Sequence, residues 1–141
     1  MAENSWHSMP MRVYFEDTDA QGVVYFANYL KFMERGRTEY LRALGVEQDE
    51  LMETLRIGFT LTESEAKFVR PARFNDELSV RTRMVGCTRV RFEIEQAVRR
   101  RDGELLCSAR CRAACVNLDS FRPQRIPSDL MARLTRPAPT S

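Results

Sequence analysis

A chain of 141 residues with 43% hydrophobic content and no low-complexity run is sized for a single domain with a real core. A net charge of only +2 excludes a broad nucleic-acid footprint. The lack of any apolar stretch of about 18 residues excludes a membrane-spanning helix.

Taken in order, residues 1–9 read as a loose tail, without the basic-then-apolar pattern of a signal peptide. Residues 10–16 read as a first strand carrying Val13 and Phe15. The acidic run Glu16-Asp17-Thr18-Asp19 then leads into a loop, 17–25, turned by Gly22. Over 27–44, Tyr29, Leu30, Met33, Tyr40, Leu41 and Leu44 recur at three- and four-residue steps, the pattern of a helix with one buried face. Gly45 suits its C-terminal cap. Glu34 and Arg37, one turn apart on that helix, are expected to pair. Asp49 is expected to cap a shorter helix reaching Leu55.

The period then changes to alternation. Phe59 and Leu61 share one parity while Ser64, Ala66 and Phe68 share the other, which predicts a β-bulge near 62–63. Pro71 ends that strand and Asn75-Asp76 makes a turn. Leu78, Val80, Thr82 and Met84 alternate with Ser79, Arg81 and Arg83, a strand with one wet face. Thr88, Val90, Phe92, Ile94, Gln96 and Val98 alternate with Arg89, Arg91, Glu93, Glu95 and Arg99. Asp102-Gly103 is a hairpin signal before a last strand from Leu105 to Leu118. That strand sets Cys107, Ala109, Cys111, Ala113 and Cys115 on one side, small residues that leave room for the long helix. Ser128 is expected to cap a final short helix, ahead of a disordered tail. The reading is α+β: one main helix on an antiparallel sheet of about five strands, residues 10–132, with tails at 1–9 and 133–141. An open sheet edge calls for a second copy.

The chemistry narrows by elimination. His7 is the only histidine and sits in the tail, so a Ser-His-Asp or Cys-His mechanism has no base. No phosphate-cradling glycine loop is present. Neither spacing nor ligand types suit a metal, so none is expected. Cys107, Cys111 and Cys115 stand about 13 Å apart along a strand. That exceeds disulfide reach, so they are read as reduced core residues. Carboxylates remain. Asp17 and Asp19, two apart, point the same way from an extended loop. The residues alone leave two readings: caps and Asx-turns, or a group that attacks a carbonyl. Of the 22 basic side chains only Lys31 and Lys67 are lysines. Arginine suits phosphate, but coding bias accounts for that count equally well.

The stretch EDTDAQGVVYFANYLKFMERGRTEYLRALG resembles the signature of the 4-hydroxybenzoyl-CoA thioesterase family, above all its Tol–Pal-associated acyl-CoA thioesterase branch. The likeness continues through FTLTESEAKFVRPARFNDELSVRTRMV and, more weakly, DGELLCSARCRAACVNLDSFRPQRIP. It implies a hot-dog fold, with a bent sheet wrapped around the long helix, and hydrolysis of a short-chain or aromatic acyl-CoA. It assigns the catalytic carboxylate, nucleophile or general base, to Asp19 and leaves Asp17 to brace the loop. The oxyanion donor is the Phe26 backbone amide; many members of the branch have histidine there. Tyr25 lines the acyl slot. Thr88, Arg89 and Arg122, with Arg125 beside them, meet the coenzyme A phosphates. No cofactor is implied, since coenzyme A belongs to the substrate. With neither a signal-peptide pattern nor a membrane-spanning stretch, the cytoplasm is the default location; the resemblance further implies a homodimer or homotetramer and allows acyl carrier protein as a partner. The competing reading is a non-hydrolytic hot-dog module that binds acyl carrier protein or an envelope complex. A hot-dog dehydratase ranks last, because it wants a site histidine.

Overall fold

The computed structural model describes residues 6–138. Its frame is a long helix, α1 (Asn28–Ala43), laid on one antiparallel sheet. The strands are β1 (His7–Arg12), β2 (Ile57–Phe68), β3 (Glu77–Cys87), β4 (Arg91–Arg100) and β5 (Leu105–Asn117). Their order in space is β1-β3-β4-β5-β2. A short helix α2 (Gln48–Glu50), continued by a π turn (Leu51–Leu55), leads into β2, and α3 (Ser128–Leu134) follows β5. This is the hot-dog arrangement that the resemblance implies.

The helix buries Tyr29, Phe32, Met33, Gly36, Tyr40 and Leu41, the three–four spacing visible in the sequence. The core it makes has two halves. Tyr29, Phe32 and Met33 meet Val80, Val98, Leu106 and Cys107 at one end. Tyr40, Leu41 and Leu44 meet Ile94, Cys111, Ala113 and Cys115 at the other. Between them Gly36 brings the helix down onto β3, so close that an added Cβ would stand 2.5 Å from Val80 Cγ1. One buried polar thread crosses this seam. Gln96 Nε2 donates to the Met33 carbonyl (2.9 Å) and to Thr82 Oγ1 (3.0 Å). Arg37 Nη1 donates to Gln96 Oε1 at 3.1 Å. The expected Glu34–Arg37 pair is therefore corrected, and Glu34 accepts from Thr38 Oγ1 instead (2.9 Å). A buried amide left unmatched costs more than an exposed ion pair returns, so the arginine turns inward.

Three register shifts bend the sheet around the helix: Leu61/Glu63 in β2, Met84/Gly86 in β3, and Val98/Arg99 between β4 and β5. The first is the bulge read from the parity slip. The cysteines are free among the described residues, and burial pushes the Cys107 thiol up to about 11. On the outer face, arginines interleave with glutamates: Arg83–Glu95 (2.5 Å), Arg110–Glu95 (2.7 Å), Arg112–Glu93 (3.0 Å).

Several boundaries differ from the sequence reading. The first strand is His7–Arg12 rather than 10–16, and it pairs with β3 from His7↔Thr82 to Arg12↔Glu77. It thus recruits His7–Met9 from the supposed tail. Pro10 is tolerated there because β1 is an edge strand. β4 begins at Arg91, leaving Thr88–Val90 as a hairpin turn in which Thr88 Oγ1 accepts from the Arg91 amide (3.2 Å). Asp49 does not cap its helix from the front; Glu47 holds that position, and Asp49 Oδ1 accepts from the Glu50 amide. Pro127, with no side-chain bond, precedes α3 in place of a Ser128 cap. The segment from 133 is not loose as far as residue 138. Arg133 Nη1 donates to the Gly45 carbonyl (2.9 Å) and Arg136 Nη2 to that of Leu44 (2.6 Å), while Leu134 and Ala138 are buried. The carbonyls at the end of α1 have no partners in their own helix, and two cations complete them. The ends of both expected tails, 1–5 and 139–141, lie outside the described residues.

Gly36→Ala tests the close approach at the seam. It gains up to about 1 kcal/mol of helix propensity but forces a methyl into Val80, so a net loss of about 1–3 kcal/mol is expected from urea unfolding. Unchanged or increased stability would mean that β3 gives way freely.

Candidate active site

The acidic loop is a small hairpin. The Asp17 carbonyl accepts from the Tyr25 amide (3.2 Å), Thr18 bridges Val24, and the Asp19 amide donates to the Val23 carbonyl (2.9 Å). Antiparallel register sets Asp17, Asp19 and Tyr25 on one face and turns Val24, 4% exposed, inward on the other. Gly22 closes the tip at φ +82°, with its amide donating to the Asp19 carbonyl (3.0 Å). The second limb is itself pinned: the Val24 amide donates to the Ala72 carbonyl (2.8 Å), and Val23 bridges Arg73.

The two aspartates hold different turns. Asp17 Oδ2 accepts from the Tyr14 amide (2.8 Å), closing the 3-10 turn Phe15–Asp17. Asp19 Oδ1 accepts from the Gln21 amide (2.8 Å), and its second oxygen has no protein partner among the described residues. Asp17 Oδ1 likewise has no protein partner among the described residues, so each aspartate braces one turn with one oxygen and keeps the other free.

Beyond Tyr25 the chain turns into α1 through three tight bonds, from the Asn28, Tyr29 and Leu30 amides to the Tyr25, Phe26 and Ala27 carbonyls. The Phe26 and Ala27 amides have no acceptor among the described residues. Such free N–H groups at a helix start favour negative charge. Asn28 Nδ2 donates to the Asp17 carbonyl (2.8 Å), fastening loop to helix. Tyr29 Oη accepts from the Ala72 amide (2.9 Å), holding the segment on which the hairpin rests. Burial raises the Tyr29 phenol above its ordinary range, so it stays protonated. The sequence pattern shows neither role: it marks Tyr29 only as helix core and gives Asn28 no part. A polar amide at a helix start was the available signal for Asn28, while nothing local marks the Tyr29 contact.

Aromatic rings surround this junction. Tyr25 lies 4.8 Å from Phe26, centroid to centroid, and Phe26 lies 5.5 Å from Phe68 at the end of β2. Tyr25, Phe26, Leu30, Phe68 and Val69 are all about half exposed, an apolar patch of the kind that marks an interface or ligand surface.

Thr88, Arg89 and Arg122 lie at the other end of the sheet. The Ile126 amide donates to the Arg89 carbonyl (2.7 Å), the Cys115 amide to that of Val90 (2.8 Å), and the Asn117 amide to that of Arg122 (2.9 Å). Asn117 is the partner of Ile57, the first residue of β2, while Phe68 is the last. Those residues are separated by the length of β2, roughly 35 Å of strand contour. One chain thus groups Asp19, Tyr25 and Phe26 together and Thr88, Arg89, Arg122 and Arg125 together, but keeps the two groups apart. A hollow of about 520 Å³ on the outer sheet face and a slot of about 160 Å³ between α1 and β2 are lined by other residues.

A family model described as the thioesterase-like superfamily matches residues 13–134. The chain is 38% identical over 132 residues to the acyl-CoA thioesterase YbgC of Haemophilus influenzae, covering 94% of this chain and 96% of that one. It is 35% identical over 123 residues to the acyl-CoA thioester hydrolase YbgC of Escherichia coli O6:H1, covering 87% and 91%. Among solved structures it is similar to a probable thioesterase from Bartonella henselae. That likeness has a TM-score of 0.82 and 35% identity, and covers 86% of this chain and 99% of that one.

The bracing by Asp17 has a direct check. Asp17→Ala should speed hydrogen exchange at the Tyr14 amide severalfold while leaving core amides protected, because it removes only that acceptor. Unaltered exchange at Tyr14 would deny Asp17 its bracing role.

Proposed function

The chain belongs to the thioesterase-like superfamily, and we propose how its geometry performs the reaction: it is an acyl-CoA thioester hydrolase whose site is shared between two protomers. The observation that carries the mechanism is the free Asp19 carboxylate oxygen on the same junction as the free Phe26 and Ala27 amides. The thioester oxygen accepts from the Phe26 amide, and charge builds there as the carbonyl carbon is attacked. Donors of this kind are worth about 3 kcal/mol each. Asp19 delivers the attack, either by taking a proton from water or by adding directly and forming an anhydride that water opens. The sulfur departs as the coenzyme A thiol. A phenylalanine at 26 supplies no second acid–base group, so Asp19 carries the proton transfers alone.

The sharing follows from the open edge. β2 is long and exposed and carries Leu61 and Phe68; β1, at the other edge, is half its length and contains Pro10. Antiparallel pairing of β2 with its symmetry copy sets the Phe68 end of one protomer beside the Ile57 end of the other. The Asp19 junction then faces the partner subunit's Arg89 and Arg122, two strand spacings, about 10 Å, from β5. The pantetheine arm spans that gap and the phosphates meet arginine. The half-exposed rings of Tyr25 and Phe26 suit a short or aromatic acyl group. A carrier-protein thioester presents the same arm, which makes acyl carrier protein an eligible donor. The likeness to the YbgC proteins supports the Tol–Pal-associated branch. Four free cysteines, of which Cys107, Cys111 and Cys115 are buried, suit a reducing cytoplasmic site.

Asp19→Asn is expected to cut kcat by two or more orders of magnitude on every acyl-CoA with an unchanged melting temperature; near-parental turnover refutes the assignment. Arg89→Ala is expected to raise KM for acyl-CoA more than it lowers kcat, and an unmoved KM removes Arg89 from the phosphate site.

A further inference from the structure

Among the described residues three other than glycine hold left-handed backbone: Arg56 (φ 53°), Asn75 (φ 71°) and Phe121 (φ 58°). Two have local reasons. Asparagine tolerates this region, and Arg56 is tied by its guanidinium to Asp119 (2.8 Å) and the Met52 carbonyl. Phe121 has none. Its ring is 72% exposed, and the described residues place no aromatic or cationic neighbour against it. The loop nonetheless locks its backbone. The Phe121 amide donates to the Asn117 carbonyl (2.7 Å), the Asp119 and Ser120 amides donate to Asn117 Oδ1 (2.8 and 3.0 Å), and the Arg122 amide donates to Ser120 Oγ. A strained, cross-tied loop that presents a bare aromatic ring to solvent is built for something outside the chain.

Its surroundings say what. The backbone bonds that join residues 122–126 to the 88–91 turn gather Arg89, Arg122 and Arg125 at this end of the sheet. All three are exposed, and none has a side-chain hydrogen bond or ion pair among the described residues. Elsewhere in the chain exposed arginines are mostly paired, as Arg12, Arg42, Arg101, Arg110 and Arg112 are. Unpaired guanidinium groups at the same end of the sheet as a bare ring form a matched set for a phosphorylated nucleoside, with cations for the phosphates and a π face for the base.

We propose that Phe121 is the platform on which the adenine of coenzyme A stacks. This rests on the shared-site reading, which brings the coenzyme's nucleotide to this loop. Phe121 is then a binding residue that discriminates coenzyme A thioesters from thioesters on shorter arms, and it does not touch the reacting carbonyl.

The test has a binding arm and a kinetic arm. Calorimetry with adenosine 3′,5′-bisphosphate, in an Asp19→Asn background, is expected to show affinity about tenfold weaker for Phe121→Ala and largely kept for Phe121→Trp. Phe121→Gly relieves the backbone strain, so it should melt no lower than the parent and yet lose the same affinity, which separates binding from stability. In the Asp19 enzyme, Phe121→Ala is expected to raise KM for acyl-CoA about tenfold, with the penalty confined to that substrate and missing from the acyl-pantetheine thioester. Equal losses on both thioesters, unaltered nucleotide affinity, or weakened dimerisation without a nucleotide effect would each overturn the proposal. Full hydrolysis by Asp19→Asn would overturn the catalytic assignment instead, and the calorimetric result would still decide Phe121.

Discussion

The structure hangs on how closely one helix lies against one face of a sheet. Gly36 has no side chain, Val80 stands where one would be, and the two core halves form on either side of that contact. The buried Gln96 network locks the same seam with fully matched hydrogen bonds, which sets the helix's position as well as adding stability. Close packing over β3 has a consequence at the far side of the sheet. β2 is left as an exposed edge, flanked by the apolar patch at the start of α1.

The same placement organises the chemistry. The start of α1 is drawn onto the segment around Ala72 by Tyr29 and onto the acidic loop by Asn28, so a carboxylate and free amides share one rigid junction. Each aspartate gives one oxygen to a backbone turn, Asp17 to the Tyr14 amide and Asp19 to the Gln21 amide, and it is the resemblance that singles out Asp19. Charge stabilisation by fixed backbone dipoles needs no titratable partner, so the proposed mechanism requires no histidine at this junction.

Much of this was legible before any coordinates. The alternation of Leu78, Val80 and Thr82, the stripe of Cys107, Cys111 and Cys115, and the parity slip in β2 each report a local rule, side-chain period, and each stands in the fold. What escaped the sequence depends on distant partners. His7 becomes strand only because Thr82 is there to pair with it. Arg136 becomes ordered only because Leu44 ends a helix. Arg37 leaves Glu34 for a glutamine on another strand. The site divides the same way: elimination leaves the carboxylates, and only the resemblance selects Asp19 among them. The remoteness of Arg89 and Arg122 from it in one chain is a property of topology, written in no single stretch of residues.

If the site is shared, defects on different chains must complement. Mixing Asp19→Asn protomers with Arg89→Ala/Arg122→Ala protomers, exchanging subunits, and assaying at low acyl-CoA measures this directly. A mixed dimer then contains one site with an intact aspartate and intact arginines, and activity should rise well above that of either variant alone. Activity that stays at the average of the two unmixed variants, with exchange verified by mass, would show that each chain works by itself and would contradict the account.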